Sequence, residues 1–209
     1  MKNSFNLTKK DCLYIEICGG IASGKTTFAS LLKETGINVV FENFEVNPFW
    51  QAFYSDPTQY AFETELTFIL QHYHQIKIAN SKQENFVCDF SPILDLAYAN
   101  VTLNNSQRKV FLSVYKQIKR ELSNPSLLIY LRCDPSIELK RIHQRGRSTE
   151  KSISLEFLSK LDRSLEKCVS EVADRFKIIS IDSDKQDFVN DDFVKQDLID
   201  KLQKALSQI

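Results

Sequence analysis

Residues 19–27 read Gly-Gly-Ile-Ala-Ser-Gly-Lys-Thr-Thr, between an apolar run, Leu13 to Cys18, and an apolar helical face that begins at Phe28, Leu31 and Leu32. This is G-x-x-x-x-G-K-T in a strand, loop, helix context. Such a loop wraps backbone N–H groups around phosphate oxygens and aims the positive end of a helix at them. Average residue usage gives the bare pattern roughly a one-in-a-hundred chance in a chain of this length, and the flanking context lowers that further. Gly19, Gly20, Ile21, Ala22, Ser23, Gly24, Lys25, Thr26 and Thr27 are therefore expected to cradle a nucleoside triphosphate, taken as ATP. Lys25 would reach its β and γ phosphates, and the Thr26 hydroxyl would ligate Mg²⁺.

Four further β-rich runs follow: Ile37 to Phe41, Asn85 to Phe90, Ser126 to Leu131 and Phe176 to Ile181. They are mostly continuous rather than alternating, as strands buried on both faces of a parallel sheet are. Helical periodicity separates them, in Phe62, Leu66, Ile69, Tyr73 and Ile76; in Val110, Val114, Ile118 and Leu122; in Leu158, Leu165, Val169 and Val172; and in Val194, Leu198, Leu202 and Leu206. The alternation predicts a three-layer α/β fold of the P-loop NTPase type, with a five-stranded parallel sheet flanked by helices. One domain over 1–209 is expected.

Lys plus Arg and Asp plus Glu both number 27, so no global positive field favours nucleic acid or a membrane surface, and any basic site must be local. The five cysteines form no C-x-x-C pair, Met1 to Asp11 lacks the apolar core of a signal peptide, and no run is long enough to span a membrane. A reducing, cytoplasmic setting is expected.

In open α/β sheets ligands bind beyond the carboxyl ends of the strands, where Glu42 and Asp89 fall. A hydroxyl acceptor needs a base and Mg²⁺ needs a second carboxylate, so the two are candidates for those roles. Arg141, Arg145 and Arg147, with Gly146 as a hinge, end a helix and would form a movable cationic lid over a transferring phosphoryl group. Complementing the helix dipole is a competing explanation for the same arginines.

With these residues in view, the chain resembles the deoxynucleoside kinases, the family that includes deoxycytidine, deoxyadenosine and deoxyguanosine kinases. The resemblance runs through the phosphate loop, Phe41-Glu42, Asn47-Pro48, Phe53-Tyr54 with Asp56-Pro57, Phe62 to His72, Asp89 to Asp95, Arg141 to Leu158 and Asp182 to Phe188. It implies that ATP phosphorylates the 5′-hydroxyl of a deoxyribonucleoside. Glu42 then matches the general base, Asp89 the acidic residue near Mg²⁺, and Arg141, Arg145 and Arg147 the lid. Tyr54 and Glu150 match the pair on the sugar 3′-hydroxyl. Asp182, Asp187 and Phe188 fall in the loop over the base of the donor. A homodimer through helices such as Phe62 to Ile76 and Ser106 to Leu122 is implied as well.

Two departures stand out. Phe90, in Asp89-Phe90-Ser91, occupies a place where many members have arginine, so another cation, such as Arg147, must compensate. In the base pocket Glu65 stands where glutamine is common and His72 where arginine is common, while Asp95 keeps the expected carboxylate. Phe62, Glu65, Ile69, His72 and Ile76 share one helical stripe, so Glu65 and His72 need polar partners inside it. An ionised Glu65 offers only acceptors, which suits the adjacent N1–H and N2–H₂ donors of guanine and predicts a purine, deoxyguanosine first. Tyr54 to Gln71 contains no Lys or Arg, which disfavours an acceptor that already carries phosphate. A kinase of another small metabolite, or a nucleotide-binding regulatory protein that has lost catalysis, are the alternatives.

Overall fold

The computed structural model describes residues 12–208, so Met1 to Asp11, read above as lacking a signal peptide, lies outside the described residues. Five strands form one parallel sheet: β1 (Tyr14–Gly19), β2 (Asn38–Val40), β3 (Phe86–Cys88), β4 (Leu127–Arg132) and β5 (Lys177–Asp182). Their order is β2-β3-β1-β4-β5. The chain leaves β1, fills one side of the sheet and then the other, which makes the carboxyl end of β1 the switch point where a ligand crevice opens. All six residues of β1 are buried, and in β4 only the terminal Arg132 is exposed, which accounts for their continuous apolar sequence.

Among the described residues eight α-helices flank the sheet: α1 (Lys25–Glu34), α2 (Trp50–Ser55), α3 (Pro57–Ser81), α4 (Pro92–Thr102), α5 (Asn105–Glu121), α6 (Pro135–Arg145), α7 (Leu155–Ser170) and α8 (Asp192–Leu206). Short polar caps fix their starts. Asp56, Ser91, Asn104, Asp134, Ser154 and Asp191 each accept a backbone N–H of the first turn. Proline opens α3, α4 and α6, where its missing N–H costs nothing.

Two helices escape sequence periodicity for physical reasons. Six residues of α2 complete fewer than two turns. Helix α4 packs against both α3 and α7, so it has no solvent stripe for a period to reveal. The Ser91 hydroxyl that caps α4 also donates to Glu16, a buried carboxylate on β1 that Tyr14 serves as well. This ties the β3 to α4 corner, and with it Asp89 and Asp95, to the central strand.

Under the phosphate loop, Phe28 of α1 is fully buried and meets Phe188 edge to face at 5.1 Å. Phe28→Ala should lower unfolding free energy by about 3–5 kcal/mol, read by urea denaturation, because the cavity lies between α1 and the sheet, where little can collapse into it.

Candidate active site

The loop between β1 and α1 needs glycine at two places for separate reasons. Gly24 has φ of 100°, a left-handed conformation costly for other residues. At Gly19 a Cβ would stand 2.7 Å from the backbone carbonyl oxygen of Leu131 on β4. Lys25 Nζ donates to the carbonyls of Gly19 (2.9 Å) and Gly20 (2.7 Å), so its ammonium is held at the loop mouth. Thr26 Oγ1 donates to Asp89 Oδ2 at 2.8 Å, which sets a hydroxyl and a carboxylate oxygen side by side at the loop. These hard oxygen donors fit Mg²⁺, which takes few protein ligands and completes its shell from phosphate and water.

Beyond the loop opens a cavity of about 510 Å³. Lys25, Arg141, Arg145 and Arg147 line its phosphate end, and Glu65, Phe68, Asp95 and Tyr98 line the other. Glu42 stands on the wall as well, its backbone N–H given to Asp89 Oδ1. Burial works against its charge, but the neighbouring His72, then Lys25 and Arg147, hold Glu42 below the usual carboxylate range.

His72 is 3% exposed and lies behind this wall, with Nδ1 2.8 Å from Asp95 Oδ2 and Nε2 3.2 Å from Glu42 Oε1. Burial opposes its charge, yet Asp95 and then Glu42 push its pKa up to about 10. The stripe expected on α3 is present: Glu65, Ile69, His72 and Ile76 are all buried. Glu65 accepts from Thr102 Oγ1 at 3.1 Å. Burial first, and the nearby Asp95 second, raise the Glu65 carboxyl well above the usual range. Both work against the ionised form expected from the sequence, and a protonated Glu65 would offer one donor and one acceptor.

The lid closes on an acidic anchor. Glu150, 3% exposed, receives Arg145 Nε at 2.7 Å and Arg147 NH1 at 3.3 Å, and the Arg147 guanidinium lies 4.5 Å from the Phe44 ring centre. Gly146, at φ 68°, is the left-handed residue between the two arginines. Arg141 donates to Ser183 O (2.7 Å) and Ala22 O (3.4 Å), joining the segment after β5 to the phosphate loop.

The family model described as "Deoxynucleoside kinase" matches residues 15–207. The chain belongs to the deoxynucleoside kinase family. It is a phosphotransferase acting on deoxyribonucleosides with a phosphate donor. It is 27% identical over 184 residues to the deoxyguanosine kinase of Bacillus subtilis (strain 168), covering 84% of this chain and 89% of that one. It is 27% identical over 184 residues to the deoxyadenosine kinase of Dictyostelium discoideum, covering 84% and 75%. A solved deoxyadenosine kinase from M. mycoides with bound dCTP superposes with a TM-score of 0.79 at 22% identity, covering 92% of this chain and all (100%) of that one, a likeness of fold.

Against the residues that the family resemblance singled out, the structure brings Glu42, Tyr54, Glu65, Asp95, Arg141, Arg145, Arg147, Glu150 and the loop residues Lys25 and Thr26 to one cavity. Burial, with Glu150 next, pushes the Tyr54 phenol up. Others sit off the wall. Phe90 is 1% exposed and stacks on His72, with ring centres 4.1 Å apart and an interplanar angle of 11°. Phe188 is buried against Phe28, and a Cβ at Gly24 would stand 3.0 Å from it, so its ring props the phosphate loop from beneath. Asp182 pairs with Lys185 at 2.9 Å, and Asp187 caps Val189 and Asn190. Sequence reasoning missed Phe44, Trp50, Phe68 and Tyr98 on the wall, and Thr102 as the partner of Glu65. The Thr102 partnership carries no local signal, since 37 residues separate the pair.

Proposed function

We propose that the chain moves the γ-phosphoryl group of Mg²⁺-bound ATP onto the 5′-hydroxyl of a purine deoxyribonucleoside, deoxyguanosine first among them. The observation that carries this reading is one cavity with a cationic phosphate end, a buried polar pocket at the other, and Glu42 between. The 5′-oxygen bonds to the γ-phosphorus as the bond from that phosphorus to its bridging oxygen breaks. The electron pair leaves with ADP, and the hydroxyl proton passes to Glu42. Lys25, Arg145 and Arg147 stabilise the spreading phosphoryl charge. Thr26 and Asp89 would hold Mg²⁺, which neutralises phosphate charge when bound. Tyr54 and Glu150 hold the sugar, Arg141 belongs to the lid on the phosphates, and the segment from Asp182 to Phe188 lies over the base of the donor. The cations on the wall all belong to the phosphate end, which leaves no second anion site for a nucleotide acceptor.

The base preference rests on Glu65 and Asp95, and deoxyguanosine kinases among the relatives support it. Adenine presents a donor beside an acceptor and would match Glu65 only in its protonated form. Guanine presents two donors and binds best once Glu65 has lost its proton. Because burial and Asp95 raise the Glu65 pKa, the ratio of deoxyguanosine to deoxyadenosine kcat/KM should rise with pH as Glu65 loses its proton, at a pH above the usual carboxylate range. Glu65→Gln should flatten that rise and favour deoxyadenosine. An unchanged ratio in the variant removes Glu65 from base selection.

Leu70 and Ile78 on α3 and Val110 on α5 are exposed, which supports a homodimer through these helices. Light scattering that finds a monomer overturns this. The five free cysteines suit a reducing, cytoplasmic setting.

The deciding experiment is an ADP-release assay with Mg²⁺ and ATP against deoxyguanosine, deoxyadenosine, deoxycytidine and thymidine, with products identified by mass. A deoxyribonucleoside 5′-monophosphate supports the reading. ATP binding with no such product from any of the four refutes it and favours the regulatory alternative.

A further inference from the structure

His72 touches no cavity wall, yet it joins the two carboxylates that line opposite parts of the site. Its ring is fixed from several directions: Phe90 stacks on it at 4.1 Å, Phe68 lies at 5.9 Å with an interplanar angle of 28°, and each nitrogen faces a carboxylate. A neutral imidazole carries one N–H, so either tautomer would turn a lone pair towards Asp95 or Glu42. Only the imidazolium presents an N–H to both. The contact with Asp95 is a short hydrogen bond at 2.8 Å. That with Glu42 is an ion pair at 3.2 Å, and Nε2 is buried without an aligned acceptor. Nε2–H can therefore follow Oε1 as Glu42 turns towards a substrate.

We propose that His72 is the positioning residue for Glu42: a buried, permanent cation that orients the carboxylate receiving the acceptor hydroxyl, with Asp95 fixing the cation and Phe90 its plane. This rests on the reading of Glu42 given above. The charges around His72 are Asp95 on α4, Glu42 after β2, and, one layer out, Glu65 on α3, Glu16 on β1 and Lys25 and Arg147 beyond Glu42. Carboxylates are its immediate partners, and the cations Lys25 and Arg147 act on Glu42, as Lys119 acts on Glu16. Phe90 needs no charge of its own here, because the cation arrives from α3.

The physical consequence is orientation. In a loose phosphoryl-transfer transition state the nucleophile's proton moves late, so the acceptor carboxylate acts mainly by aiming the hydroxyl at the phosphorus. A displacement of about 1 Å in such a group costs about 10²-fold in rate. Because the hydroxyl is aimed in the ternary complex, the loss falls on kcat, and KM for ATP stays as it was.

Two experiments test this. In His72→Gln, kcat should fall about 10²-fold with KM for ATP unchanged. In His72→Gly, added imidazole should restore turnover and its uncharged isostere pyrazole should not. A purely structural His72 would lower thermal stability while leaving the kcat of folded protein at the wild-type level, or would be rescued equally by both additives. Either outcome overturns the proposal.

The second experiment needs no activity and no folded His72 variant. Nitrogen NMR of the wild-type protein should show His72 protonated on both ring nitrogens at a pH of about 8, above the range in which an unperturbed imidazole holds its proton. Glu42→Gln should lower the His72 titration point. A neutral His72 tautomer at that pH, or a titration insensitive to Glu42→Gln, sinks the idea. If the NMR signature holds while no deoxyribonucleoside is phosphorylated, the reading of the reaction has failed and the Asp95, His72, Glu42 array serves another carboxylate function. The role in 5′-hydroxyl transfer is then withdrawn.

Discussion

Lys25→Met should lower kcat about 10³-fold with little change in stability. The ammonium holds the carbonyls of Gly19 and Gly20 at the mouth of the phosphate loop, from where it reaches a γ-phosphate by rotation of its own side chain. In a loose transition state, charge spreads over the equatorial oxygens of the transferring group, and a fixed cation at that end is worth more than in the ground state. Methionine keeps the stem and removes the charge, so the loss reports electrostatics rather than packing. Lys25→Arg should rescue poorly, because a planar fork does not replace a compact ammonium between two carbonyls. Steady-state kinetics with ATP titrations measure both. Turnover near the wild-type level in Lys25→Met would remove Lys25 from phosphoryl transfer.

Legibility of the fold followed from local pattern. Strands β1 and β4 were readable because they are buried on both faces, and the phosphate loop because its chemistry lies in consecutive residues. The α3 stripe was readable too, since Glu65 and His72 break an apolar period and demand partners. The partners themselves were not. His72 meets Asp95 23 residues onward and Glu42 30 residues back, pairings that the sheet order creates and no window along the chain contains. The electrostatic setting was hidden for the same reason: Glu65 reads as an ordinary acid in sequence, and only its enclosure, with Asp95 nearby, raises its pKa. Likewise Phe90 reads in the sequence as a missing cation, and its stacking on His72 of α3 joins residues too far apart along the chain for a local pattern to show.

Glu42→Gln should lower kcat about 10²–10⁴-fold, the range for a positioned acid or base. The substitution preserves shape and removes the charge, so the amide oxygen can still accept from a hydroxyl but cannot take its proton. The backbone N–H of residue 42 keeps its bond to Asp89, which leaves the metal side of the site intact, and KM for ATP should hold. Glu42→Asp distinguishes the two contributions of the side chain. It restores the charge but draws it back by one methylene, so it should be faster than Glu42→Gln if proton acceptance dominates, and equally slow if distance to the hydroxyl does. Thermal denaturation of both variants supplies the control. Glu42→Gln leaves the imidazolium of His72 with Asp95 alone, so some stability is lost even in a fully folded variant. A variant that melts earlier yet turns over at the wild-type rate would show that Glu42 serves only to pair His72, and would move the search for the base to the other carboxylates of the cavity.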